Sequence, residues 1–174
     1  MEIINSTPDD TETIFKLYDD AVAYQKKIFN KHWQPFERGM VEREIKEERQ
    51  WKIIDSHNNI LCIFAISYND PEIWEAKDTD PSIYLHRIVS NPLFRGSNFV
   101  KEIIDWAGIF GKTNTRKFIR LDTWADNEKL ISYYKKCGFT LVGITTPTKT
   151  AGLPKHYNLI SLSLFEIEIE DTDT

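Results

Sequence analysis

The chain of 174 residues is 41% hydrophobic, 28% charged and 13% aromatic, which suits one domain with its own core and excludes a disordered, collagen-like or low-complexity protein. Its longest apolar run, Ile60 to Ile66, covers seven residues, far short of the ~20 a membrane-spanning helix needs. The net charge of −5 divides into −6 over residues 1–94, +6 over 95–165 and −5 over 166–174; a positive second half suits an anionic ligand and a negative first half a cationic one, while no basic stripe marks a nucleic-acid partner.

The start, Met-Glu-Ile-Ile-Asn-Ser, lacks the basic residues and apolar stretch of a secretory signal, so a cytoplasmic protein without a membrane partner is expected. Glu2 to Ser6 reads as a first strand. Thr7-Pro8-Asp9-Asp10 supplies a cap, a first-turn proline and a capping box, and Ile14, Leu17, Tyr18, Ala21, Gln25 and Ile28 recur at helical spacing. A loop around His32-Trp33-Gln34-Pro35 leads to a short, heavily charged helix near Arg38 to Arg49. Trp51 and Ile53, the turn Asp55 to Asn59 and the apolar run from Ile60 to Tyr68 form a hairpin. Asn69 to Pro81, with two prolines and three aspartates, is expected to be a polar, mobile insertion.

Ile83 to Ser90 is the next strand. Pro92-Leu-Phe-Arg-Gly96 turns into a helix over residues 97–110, closed by Gly108 and Gly111. Phe118 to Trp124 is a strand, and Asp126 or Asn127 caps a helix that Gly138 ends. Phe139 to Thr146 and Tyr157 to Phe165 are the last strands, and residues 166–174 form an acidic tail that frays. The order predicts an α/β fold, a mixed sheet of about seven strands with helices on both faces, in one domain over residues 1–174. Strand 83–90, its helix and strand 118–124 form a right-handed crossover, hence parallel strands with a ligand beyond their carboxyl ends.

Two segments carry chemistry. Ser90-Asn-Pro-Leu-Phe-Arg-Gly-Ser-Asn-Phe-Val100 turns a strand into a helix through a basic, glycine-containing corner that can aim free backbone N–H groups at a phosphate. Asn127-Glu-Lys-Leu-Ile-Ser-Tyr-Tyr-Lys-Lys-Cys-Gly-Phe139 sets a tyrosine pair in a capped helix ahead of Gly-Phe. Cys62 and Cys137 have no metal-ligand spacing and read as buried reduced thiols; no metal is expected. A proton acceptor at neutral pH is sought near the end of strand 83–90, where His86, with a reference pKa of ~6.5, is the candidate; alternation sets it on one face with Ile88 and Ser90. His32, His57 and His156 read as surface loop histidines. Arg87 and Asp122 read as a pair across the sheet or as lining of an acceptor pocket.

In these two segments and in element order the chain resembles the GNAT superfamily of acyl-CoA-dependent N-acyltransferases over almost its whole length. The resemblance implies acetyl-CoA as cosubstrate. It implies that the backbone of Ile88, Val89 and Ser90 pairs with the pantetheine arm, where the fourth strand splays from the fifth. The turn Arg95, Gly96, Ser97, Asn98, Phe99 and Val100 would cradle the pyrophosphate. The family's Gln/Arg-x-x-Gly-x-Gly/Ala places Asn98 and Val100 where glycines usually stand; Asn98 tolerates a left-handed backbone, while Val100 is bulkier than the motif residue. Asn127 matches the contact to the pantetheine arm and Tyr134 the phenol that protonates the departing sulfur; a phenol with pKa ~10 is protonated at neutral pH.

The implied activity is direct acetyl transfer to a primary amine of a small molecule, the oxyanion being held by strand N–H groups. The acceptor, cationic by charge balance, would meet residues 24–37, rich in aromatics, and residues 147–157. A homodimer is compatible with this reading. The alternative is a non-catalytic module of the same fold that senses an acyl-CoA or binds a protein, suggested by the altered glycine turn. A dinucleotide-dependent oxidoreductase is excluded, because no Gly-x-Gly-x-x-Gly opens an early helix.

Overall fold

A computed structural model describes residues 1–157 and 160–170. The seven strands are β1 (Glu2–Asn5), β2 (Gln50–Ile54), β3 (Ile60–Ser67), β4 (Ser82–Ser90), β5 (Phe118–Trp124), β6 (Thr140–Thr145) and β7 (Leu162–Glu168). They form one mixed sheet in the order β1-β2-β3-β4-β5-β7-β6, as the α/β reading predicts. The helices are α1 (Thr11–Ile28), α2 (Arg38–Lys46), α3 (Pro71–Trp74), α4 (Phe99–Thr113) and α5 (Glu128–Lys136). Among the described residues no helix is long and apolar enough to cross a membrane. The chain separates into two compact units, residues 1–66, 86–99 and 154–156 in the first and the remainder in the second.

In the first unit β1, β2 and β3 pair antiparallel in sequence. The capping box at Thr7 and Asp10 is present, with Pro8 in a single 3-10 turn ahead of α1. The apolar faces of α1 and α2 deliver Ile14, Leu17, Tyr18, Val41 and Ile45 onto Ile63 and Val89, with Trp33 and Phe36 against the rim of this core. Tyr18 makes edge or tilted contacts with Trp33 at 6.3 Å and Phe36 at 4.8 Å. Such pairs contribute about 1 kcal/mol each beyond area burial.

In the second unit β4 and β5 are parallel, as the crossover requires, with Ser82 to Tyr84 lying against Phe118 to Arg120. From Phe118 to Trp124 the other edge of β5 pairs residue by residue with β7.

Three expectations are corrected here. Helix α4 runs through Gly108 and Gly111 to Thr113, because Gly111 serves packing and not termination: a Cβ there would collide with Ile169 Cδ1 and crowd Ile83 Cδ1. The last strand begins at Leu162 and continues to Glu168, since Glu166-Ile-Glu-Ile-Glu alternates charged and apolar residues, the pattern of a half-buried strand. Tyr157 instead lies in a 3-10 turn. Of the expected acidic tail, residues 171–174 lie outside the described residues. Finally, the insertion after β3 is anchored. Ile73 and Trp74 of α3 are buried, and its aspartates are used: Asp78 Oδ1 accepts from the Asp70 N–H at 2.7 Å and the Tyr84 hydroxyl at 2.6 Å, while Asp80 pairs with Arg120 at 3.1 Å.

Candidate functional site

Of the residues singled out for donor binding, Ile88, Val89, Ser90 and Arg95 to Phe99 lie in the first unit together with His86, and Val100, Asn127 and Tyr134 lie in the second. In the first unit the main irregularity is inside β4. Arg87 has φ +48°, a left-handed backbone that a long L side chain adopts at a cost of about 1–2 kcal/mol. A left-handed residue interrupts the regular strand geometry between His86 and Ile88. The Arg87 guanidinium is paired with Glu44 of α2 and donates from Nε to the Tyr18 hydroxyl at 3.1 Å. Both partners come from helices of the same unit. Glu44, in a helix read as charged surface, is 4% exposed.

His86 is the clearest change of role. Desolvation, with the Arg87 and Arg49 charges adding to it, pushes its pKa down to about 3. Burial thus favours its neutral form. His156 is no surface histidine either: its ring lies 6.3 Å from that of Trp33 and 5.6 Å from that of Phe36, and burial, with Arg87 adding to it, lowers its pKa to about 3. Thus His156, from the segment before β7, packs on the aromatics between α1 and α2. His156 of one segment assigned to the acceptor thus meets Trp33 and Phe36 of the other within the first unit.

Beyond β4 the chain is pinned before it turns. The Asn91 N–H donates to the Leu61 carbonyl at 2.8 Å, its carboxamide donates to the Ile60 carbonyl at 2.8 Å, and the carboxamide oxygen accepts from Leu93 at 3.1 Å. The Ser90 hydroxyl and Val89 backbone hydrogen-bond the Cys62 thiol, whose pKa burial pushes up to about 12. A thiol so disposed is no nucleophile. In the turn itself the left-handed residue is Gly96, φ +99°, and not Asn98. The Arg95 guanidinium carbon sits 4.3 Å from the ring centre of Tyr24 on α1. Helix α4 then opens at Phe99, presenting first-turn N–H groups that lack intrahelical partners.

In the second unit Phe99's neighbour Val100 is 7% exposed, so its side chain is spent on the interior. Asn127 caps α5, its side-chain oxygen accepting from the Leu130 N–H at 3.2 Å. The Tyr134 ring lies 5.9 Å from that of Phe139, 5.8 Å from that of Phe165 and 5.7 Å from that of Tyr133, which fixes its plane. Two carboxyl groups also lie in this unit: Asp122, which the sequence set as a pair for Arg87 or as lining of an acceptor pocket, and Asp70, which it left in the insertion. Asp122, alternating with Arg120 and Trp124 along β5, is pushed up to about 7 by desolvation, offset in part by a hydrogen bond from Tyr157. Asp70, buried before α3, is pushed up to about 8 by desolvation and by the charges of Asp122, Asp78 and Glu72. Oxygens of the two come within 4.8 Å. The signal for Asp122 was available: an acidic residue at an alternating position of a mostly apolar strand must be buried or paired.

No protein-family model matches the sequence. Among proteins of known sequence the chain is similar to the uncharacterized N-acetyltransferase YesJ of Bacillus subtilis (strain 168), 34% identical over 86 residues. That match spans 48% of this chain and 47% of the Bacillus protein, about half of each. Among solved structures it resembles a GNAT-family acetyltransferase from Listeria monocytogenes 4b F2365, with TM-score 0.77, 24% identity and coverage of 96% and 94% of the two chains. It also resembles the spermidine/spermine N-acetyltransferase SpeG from Vibrio cholerae, with TM-score 0.61, 15% identity and coverage of 97% and 92%. The architecture is therefore the fold of GNAT-family acetyltransferases.

Proposed function

We propose that this chain is an acetyl-CoA-dependent N-acetyltransferase acting by direct transfer on a primary amine of a small molecule. The observation that carries the reading is the turn from β4 into α4, pinned by Asn91 and cornered by Gly96 at φ +99°. A basic turn that opens a helix offers free backbone N–H groups to a phosphate-bearing donor. The donor is assigned to Ile88, Val89 and Ser90 for the arm, to Arg95, Gly96, Ser97, Asn98, Phe99 and Val100 for the pyrophosphate, and to Asn127. Donor binding supplies the activated acetyl group.

Tyr134 is assigned the proton that the departing sulfur takes. His86, the sequence candidate for the acceptor's proton, is a poor base at a pKa of about 3. Asp122, at about 7, has the affinity a base needs near neutrality. The likeness to a spermidine/spermine acetyltransferase and the negative first half favour a cationic amine. Calorimetric titration with acetyl-CoA and CoA, followed by a thiol-release screen against di- and polyamines, tests the reading. Micromolar donor binding with amine-dependent thiol release is expected; a folded protein that binds neither nucleotide would refute it in favour of a module that binds protein.

A further inference from the structure

We propose that Glu44, together with Tyr18, is a positioning residue that holds the left-handed kink at Arg87 and thereby sets the direction of the peptide group that leads into the stretch from Ile88 to Ser90. This rests on the acetyltransferase reading, in which that stretch receives the donor's arm.

An arginine at φ +48° inside a nine-residue strand persists only where its surroundings over-determine it. Here they do. The guanidinium is 10% exposed and paired with Glu44, whose carboxylate is 6% exposed. Tyr18 accepts from Nε and is itself 3.5 Å from Gln50 Oε1. The guanidinium carbon lies 5.3 Å from the Phe36 ring centre and 5.9 Å from that of Tyr18. The same Glu44 oxygen is 3.8 Å from Arg49, which is otherwise occupied by Glu47 at 2.7 Å and the Ile66 carbonyl at 3.1 Å. Relaxing Arg87 to an extended φ would withdraw its side chain from this pocket and leave the Glu44 carboxylate buried without its closest cation. That penalty exceeds the strain of one left-handed residue. Downstream, Val89 is packed in the α1/α2 core and Ser90 is bonded to Cys62. The peptide group between Arg87 and Ile88 is therefore the part whose direction depends on the clamp.

The test uses Glu44→Gln, Tyr18→Phe and the double variant Glu44→Gln/Arg87→Gly, each checked for folding by circular dichroism. Two quantities are read: the acetyl-CoA dissociation constant by calorimetry, and amide hydrogen exchange over residues 87–90. Glu44→Gln should weaken donor binding about tenfold, the factor that corresponds to releasing one strained residue, and speed exchange at 87–90. Tyr18→Phe should do the same to a smaller extent. Glycine accepts φ +48° without strain and needs no clamp, so the double variant should recover donor affinity to within about threefold of wild type. A purely structural pair would lower the melting temperature of Glu44→Gln without altering donor affinity well below it, and its loss would not be rescued by glycine; either result overturns the proposal. If the wild type binds no acetyl-CoA the functional reading fails instead, and the clamp is still decided by exchange: unchanged protection at 87–90 in folded Glu44→Gln and Tyr18→Phe overturns it.

Discussion

Arg120→Met should destabilise the protein by about 3 kcal/mol, at the lower end of what breaking a buried ion network costs. The side chain is 2% exposed and makes four bonds: Nε to Glu166 at 3.0 Å, Nη2 to Asp80 at 3.1 Å, and Nη1 to the Lys77 carbonyl at 2.6 Å and the Tyr84 hydroxyl at 3.3 Å. Its guanidinium carbon is sandwiched 4.7 Å from both the Trp74 and Phe118 rings. Methionine fills the slot between the rings but makes none of the bonds. Asp80, half exposed, recovers water, whereas Glu166 at 22% exposure recovers little; this partial rehydration keeps the loss near 3 and not 5 kcal/mol. For a chain of this size that is a fall in melting temperature of about 6–12 °C. Urea unfolding followed by tryptophan fluorescence, with the slope m unchanged, is the assay. Arg120 also ties down the segment after α3, so limited proteolysis should cut residues 75–81 faster in the variant. Arg120→Lys should fall in between, since one ammonium cannot reach all four partners. A loss below about 1 kcal/mol for Arg120→Met would place the network with exposed ion pairs and refute the reasoning.

Tyr134→Phe keeps the ring contacts to Tyr133, Phe139 and Phe165, so stability should change by less than about 0.5 kcal/mol. If the phenol protonates the sulfur, kcat should fall about a hundredfold or more with donor affinity retained; unaltered turnover in a thiol-release assay removes the role. Asp70→Asn should change how stability depends on pH. The folded-state pKa of Asp70 is raised to about 8 from an unfolded value of 3.8. The native state therefore binds the extra proton, and stability falls as pH rises through that window. The variant should match wild type near pH 4 and exceed it at pH 8, measured by urea unfolding across the range. Equal slopes for the two proteins would mean that Asp70 is ionised in the native state.

Where the chain reports its own fold, it does so through periodicity and turn chemistry. The capping box at Thr7 and Asp10, the hairpin turn at Asp55 to Asn59 and the Asn127 cap lie where the residue types put them, because each is a local hydrogen-bonding arrangement. Gly111 shows the limit of local reading. Glycine is written into a helix either to end it or to let another element approach, and only Ile83 and Ile169, distant in sequence, decide between the two. The site shows the same division. The corner between Asn91 and Phe99 was legible as a strand-to-helix turn. Arg87 was not legible as a left-handed residue, because arginine carries no backbone preference of that kind and its φ is imposed by Glu44 and Tyr18 from other elements. His86 has an ordinary reference pKa in the sequence, and only enclosure beside Arg87 and Arg49 lowers it.

The turn into α4 shows which of its residues carries the positive φ. A glycine can be required because a side chain would collide or because φ must be positive. At Gly96 it is the second: φ is +99°, and nothing lies within 4 Å of where a Cβ would stand. That one residue supplies the left-handed corner, so Asn98 is free of that demand. Val100 meets the opposite condition. Its side chain, 7% exposed, is enclosed by the protein, and the volume that looks obstructive beside a glycine motif is buried. The two departures from the family pattern thus fall where neither backbone sign nor exposed bulk is changed, and a loss of donor binding does not follow from them.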